Sequence, residues 1–149
     1  MKNLLILLPV LLLGACGDTQ QAVFLFDGSQ RSLTLSRQQD FAGSEWNTEL
    51  VVAHLPECQR RYFLTGMIGD KVKLDVYRAE PGVFILNQDK HWFVTETKTC
   101  LFQEFKVPPP EPGERVGGFV LTDGKLDYKS REASAAGAVS PAPTSATRP

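Results

Sequence analysis

The chain is poor in the residues that most often carry chemistry. In 149 residues there are three cysteines, two histidines, two methionines and two tryptophans. The two histidines, His54 and His91, are far apart in sequence, and neither lies in an H-x-x-x-H or C-x-x-C spacing. No metal site is legible from them. No glycine-rich segment matches a phosphate-binding loop. Aspartate and glutamate are scattered over strand faces and turns, so no carboxylate pair of the glycosidase kind is placed on one rigid surface. Sixteen Lys and Arg stand against seventeen Asp and Glu, a net charge of −1. That balance gives no single-sign field to hold a nucleic acid. Long apolar runs are missing too. The longest, residues 4–13, is interrupted by Pro9 and would make only about 15 Å of helix, half the ~30 Å of a hydrocarbon core. No metal, cofactor, nucleic-acid partner or ordinary membrane span is therefore expected.

That short apolar run still has a reading. Lys2 precedes it, the small residues Gly14 and Ala15 end it, and Cys16 follows at once. A charged start, a short apolar stretch and small residues are the layout of a secretory signal. Leu13-Gly14-Ala15-Cys16 resembles the lipobox of bacterial lipoprotein signal peptides. The resemblance covers about the first 17 residues, with Gly14 where Ala or Ser is more usual. It implies cleavage between Ala15 and Cys16, diacylglyceryl transfer to the Cys16 thiol and acylation, commonly with palmitate, of the new amine. Two or three chains give stable attachment where one holds only marginally. Gly17 after the cysteine, rather than aspartate, resembles the outer-membrane class more than the inner-membrane class, with Asp18 the residue that pulls the other way. The expected organisation is a signal peptide over 1–15, a lipidated tether over 16–21, one β domain over 22–129 and an unfolded tail over 130–149. Removing 1–15 leaves 134 residues, a length for one domain.

Cys58 and Cys100 are the two remaining cysteines. In an exported chain they are expected to form one disulfide, closing a loop of about 43 residues. The alternative is a free, reactive thiol at Cys58, with His54 and Glu57 close by in sequence.

Between residues 22 and 129 the dominant pattern is period two. Residues 22–26 are a compact apolar run that ends at Asp27-Gly28, and residues 32–35 alternate, so the two read as a hairpin. Trp46, Thr48, Leu50 and Val52 share a parity; Tyr62, Leu64, Gly66 and Ile68 share another. Val72, Leu74 and Val76 alternate with Lys71, Lys73 and Asp75, the cleanest case of a strand buried on one face. Residues 83–86 and 91–95 are apolar and β-branched or aromatic, with a turn cluster at 87–90, and residues 101–107 alternate again. Asp123-Gly124 joins 119–122 to 125–128 as a two-residue hairpin. Residues 36–43 are the one plausible short helix, with Ser36 as cap, Gln39 at the capping-box position and Gly43 as stop. The prediction is an all-β domain: a small antiparallel sandwich or barrel of about eight or nine short strands, with one short helix at most.

Pro108, Pro109, Pro110 and Pro112 cannot donate ladder hydrogen bonds, so 107–113 is read as a stiff loop to the last hairpin. From Ala133 the chain is rich in Ala, Ser, Pro and Thr and carries no aromatic side chain, which predicts a disordered tail of a kind that can accept O-linked sugars.

These observations predict a non-enzymatic protein in the bacterial cell envelope. It would be held to the membrane by lipid on Cys16 and would bind another envelope or secreted protein. Arg60, Arg61 and Trp92 are the candidate binding residues. The guanidinium forks of Arg60 and Arg61 suit phosphate or carboxylate groups, so the alternative function is binding of an anionic envelope component such as lipopolysaccharide or peptidoglycan. Trp92 and Phe93 have opposite parity, so one of the two rings is expected outside the core. A weaker alternative is a thiol enzyme or hydrolase using Cys58 and His54.

Overall fold

In the computed structural model, residues 17–65, 67 and 71–131 are described. The expectations for the signal peptide, for Cys16, for Gly66 and Ile68, and for the tail beyond Arg131 lie outside them. The all-β expectation holds. Among the described residues ten strands form: β1 Asp18–Leu25, β2 Arg31–Gln39, β3 Trp46–His54, β4 Cys58–Phe63, β5 Lys73–Glu80, β6 Val83–Gln88, β7 His91–Glu96, β8 Leu101–Glu104, β9 Glu114–Thr122 and β10 Lys125–Ser130. They make two antiparallel sheets, β1-β2-β3-β4 and β10-β9-β5-β6-β7-β8.

The alternation seen in the sequence builds the interior. Leu33, Leu35, Leu50 and Val52 of the first sheet are fully buried, as are Leu74, Val76, Phe84, Leu86 and Phe119 of the second. They belong to one apolar layer between the sheets. Each such side chain stabilises the fold by roughly 1.5–3 kcal/mol relative to exposure. Phe24 stacks on Tyr128 at 4.6 Å between ring centroids, and Phe26 meets Phe84 at 4.5 Å, so aromatic contacts tie β1 to the opposite sheet.

Both open sides of the sandwich are closed. On one side, Gln20 Nε2 of β1 donates to the Gly124 carbonyl of the β9–β10 turn at 3.0 Å. On the other, Cys58 at the start of β4 is bonded to Cys100 just before β8, with Cα atoms 6.0 Å apart. Tyr62 stacks on Phe102 beside that bridge, and its hydroxyl donates to the Cys100 carbonyl.

The registers define two poles. Asp18, Gln39, Trp46 and Phe63 lie at one end of the first sheet, and Lys73, Gln88, His91 and Lys125 at the same end of the second. Gln88 Nε2 reaches the Thr65 carbonyl at 3.5 Å, which joins the sheets there. His54, Cys58, Leu101 and Ser130 lie at the opposite end, the disulfide pole.

Five local expectations are corrected. Residues 36–39 are strand, not helix: Ser36–Gln39 pair with Asp18–Gln21 on one side and with Trp46–Glu49 on the other. A helix of one or two turns cannot compete with two ladders. The tether expected to Gln21 is shorter for the same reason, because β1 starts at Asp18. At the far end of the domain the last strand runs to Ser130. Asn87 and Gln88 complete β6, so the turn is Asp89-Lys90 alone, with Asp89 at φ 53°. Strand β8 stops at Glu104; Phe105 N still bonds the Trp92 carbonyl, and the chain then leaves for β9 through the proline segment.

The outward side of β5 is not simply wet. Asp75 is only 8% exposed. Its Oδ1 accepts from Arg115 Nε at 3.0 Å and Nη2 at 2.6 Å, and Oδ2 lies 3.4 Å from Lys73 Nζ. Gly118 gives the carboxylate room, since a Cβ there would sit 3.1 Å from Oδ1. Arg37 is a second buried charge, on the inward parity of β2, 1% exposed, with its guanidinium 3.8 Å from the centroid of the Trp46 ring.

Two predictions follow from these packed polar groups. Asp75→Ala is expected to lower unfolding free energy by about 1–3 kcal/mol, while Lys73→Ala, whose ammonium is exposed, changes it by less than about 0.5 kcal/mol; urea titration of both variants measures the difference. Burial pushes the Tyr128 phenol up from 10.0 to about 12 against the opposing charges of Arg115 and Arg78. A phenol raised on folding favours the folded state until the unfolded group ionises, so stability is expected to fall as pH rises from 10 toward about 12. Tyr128→Phe should flatten that decline in thermal melts.

Candidate functional site

The corner around the disulfide is the most tightly organised polar region. Glu96 closes the β7–β8 turn: its Oε1 accepts from Lys98 N at 2.6 Å, and its Oε2 accepts from Thr99 N at 3.0 Å and from the Thr99 hydroxyl. Desolvation raises the Glu96 carboxyl, but the hydrogen bonds from Thr99 and Lys98 and the Lys98 charge outweigh it and hold the group below its ordinary range. Thr97 N and Oγ1 both donate to the Gly82 carbonyl, at 2.9 Å each. The turn so fixed delivers Cys100, at φ 55°, to Cys58. This is the expected pairing, and in it the Cys58 sulfur is bonded.

His54 is engaged elsewhere. Its Nε2 accepts from Arg31 Nε at 3.1 Å and lies 3.7 Å from Glu57 Oε2, and Arg31 in turn lies 3.9 Å from Asp27. This cluster borders an open cleft of 290 Å³ that the β1–β2 loop lines with Asp27, Ser29 and Gln30. His91 is on the other pole, 2.7 Å from Glu104. Among the described residues no three His, Cys, Asp or Glu side chains gather in a metal-binding group.

The candidate binding residues do not converge. Arg60 and Arg61 are both exposed, but adjacent strand residues point to opposite faces. Arg60 pairs with Val52, on the inward parity at the sheet margin, and Arg61 pairs with Val51 on the outer face. Arg61 Nη1 holds Glu49 Oε1 at 3.2 Å. The two forks therefore cannot clamp one anion together. Trp92 is half-buried on the outer face of the six-stranded sheet, 5.9 Å from the Tyr77 ring, while Phe93 is in the core, as the parity argument requires.

What the sequence reading passed over is the exposed apolar side of the first sheet. Val23, Leu25 and Phe63 are all exposed there, and Val51 and Ala53 lie between them. Arg61 and Phe63 border a shallow groove of 210 Å³ with Ser36, Gln38, Asp40, Asn47 and Glu49. The signal was present in parity: if Tyr62 faces inward, Phe63 must face outward. An outer face with three large apolar side chains and one ion pair has the character of a contact surface.

The fold and this corner define a class, a two-sheet β sandwich with one inter-sheet disulfide. No protein-family model, no curated protein and no solved structure matches the chain.

Thiol titration of unfolded, non-reduced protein lacking residues 1–16 is expected to find no free sulfhydryl. Replacing both Cys58 and Cys100 by Ala should cost about 2–4 kcal/mol in the same protein, read by denaturant unfolding.

Proposed function

We propose that the chain is a bacterial envelope lipoprotein whose β domain binds another protein and performs no reaction of its own. Lipid on Cys16 would hold it to a membrane, the outer membrane by the Gly17 criterion. The observation that carries the reading is the abruptness of the boundary after the lipobox-like Leu13-Gly14-Ala15-Cys16. Only Gly17 separates that cysteine from β1. An ordinary exported domain has no need for a cysteine at that junction; a lipid-held head does. A disulfide that closes the sandwich suits an oxidising compartment outside the cytoplasm. The exposed Val23 and Leu25 suit a protein partner more than a sugar or phosphate.

The alternative, an anionic envelope component held by Arg60 and Arg61, has less support because the two side chains diverge. The last strand, β10, ends at the disulfide pole, opposite the pole where β1 begins.

Wild-type protein from a bacterial host is expected to partition into a detergent phase and to carry diacylglyceryl and acyl mass on Cys16. Cys16→Ala should accumulate as unlipidated precursor in the aqueous phase; equal partitioning of the two would overturn the reading. In-cell crosslinking is expected to capture a protein with wild type, and Arg60→Ala/Arg61→Ala should leave that capture intact. Loss of lipopolysaccharide or peptidoglycan binding in the double variant, with capture unchanged, would favour the alternative.

A further inference from the structure

We propose that the pole carrying Asp18 seats directly on the membrane surface through Phe41 and Phe63, so that the head is oriented and does not swing on its lipid. The inference rests on the reading that Cys16 is lipidated, and it adds a second membrane contact made by the folded domain itself.

The geometry begins at Gly17. A Cβ there would sit 2.1 Å from the Gln39 carbonyl oxygen and 2.7 Å from that of Asp40, so residue 17 lies flat against the end of β2. Cys16 is one Cα step of ~3.8 Å beyond it. The acyl chains would therefore start beside the β2–β3 turn, and that turn carries Phe41. Its side chain is 57% exposed. The turn that presents it is closed: Ser44 N donates to the Phe41 carbonyl at 3.0 Å, and Phe41 N donates to Ser44 Oγ at 3.3 Å. Phe63 ends β4 at the same pole and is 76% exposed. It borders one groove with Asp40 and another with Glu45, so it flanks both ends of the turn.

Two phenyl rings presented to water on fixed backbone, on the sheet end where the acylated residue would enter, match what the membrane interface takes up. Aromatic rings favour the headgroup level, and apolar faces enter it by ~5–10 Å. Charge indicates the kind of surface. Asp18, Asp40 and Glu45 are exposed around the turn, while Lys73, Lys90 and Lys125 lie at the same pole on the other sheet. Opposite signs at one pole give no net pull toward anionic lipid. The contact is apolar, to a zwitterionic phospholipid surface, and insensitive to salt. A nine-residue strand spans about 30 Å, so the disulfide pole would face away from the bilayer and stay open to a partner.

The test uses full-length lipidated protein in phosphatidylcholine vesicles with brominated acyl chains. Tryptophan is introduced by Phe41→Trp, Phe63→Trp or, at the disulfide pole, Leu101→Trp, where the native side chain is 55% exposed. Quenching in excess of wild type is read for each. Positions 41 and 63 are expected to gain at least about twofold more quenching than position 101, unchanged on raising salt. Equal quenching at all three positions, with lipid mass confirmed on Cys16, overturns the seating alone. A difference that vanishes in high salt overturns its apolar character. Unmodified Cys16 in the same sample overturns the lipoprotein reading and the seating with it. All three positions are exposed, so loss of folding does not mask the result.

Discussion

A single apolar layer between two sheets supports everything else in this molecule. Leu33, Leu35, Leu50 and Val52 meet Leu74, Val76, Phe84, Leu86 and Phe119 there, and none is reached by solvent. Strand register follows from that burial, because a slip of one residue would turn each of these side chains outward and bring Thr34 or Glu49 in. Once register is set, the turns and the two poles are set with it. The buried charges sit where the layer ends or on the outer sheet surface: Arg37 lies under Trp46, and Asp75 is held by Arg115.

A layer of this kind leaves two sheet margins to be protected, and the chain protects them by different means. Along β1 and β10 the closure is aromatic stacking and one side-chain hydrogen bond. Along β4 and β8 it is covalent, and the short turn clamped by Glu96 positions the cysteine for it. Between the two bridged margins lie the outer sheet faces and the two poles. That division organises the proposed function: one pole for the membrane, and the outer face of the first sheet or the disulfide pole for a protein.

Most of the fold was legible because period two is a local property. The β1–β2 hairpin, the parity of Trp46 to Val52 and the Asp123-Gly124 turn all appear as read. Residues 36–43 were not, because their capping signals are local while the ladders that override them come from residues 18–21 and 46–49. The candidate site was less legible. Arg60 and Arg61 looked like a pair because they are adjacent in the chain, and strand alternation is what separates them. Phe63 was hidden behind Tyr62, whose inward parity already implied an outward neighbour.

The amino-acid sequence by itself determined the composition-level facts. These are an apolar start too short to span a bilayer, a lipobox-like Cys16, two further cysteines with one possible intramolecular pairing, and alternation that makes the domain β. Each depends on residues close in the chain or on simple counting. Only the tertiary structure decided which strands neighbour one another, that β1 begins at Asp18, and that Asp75 is buried by Arg115. It also decided that Phe41 and Phe63 lie toward the same end of the first sheet as residue 17. These depend on pairings between residues far apart in sequence, and no local pattern encodes which distant strand supplies the partner.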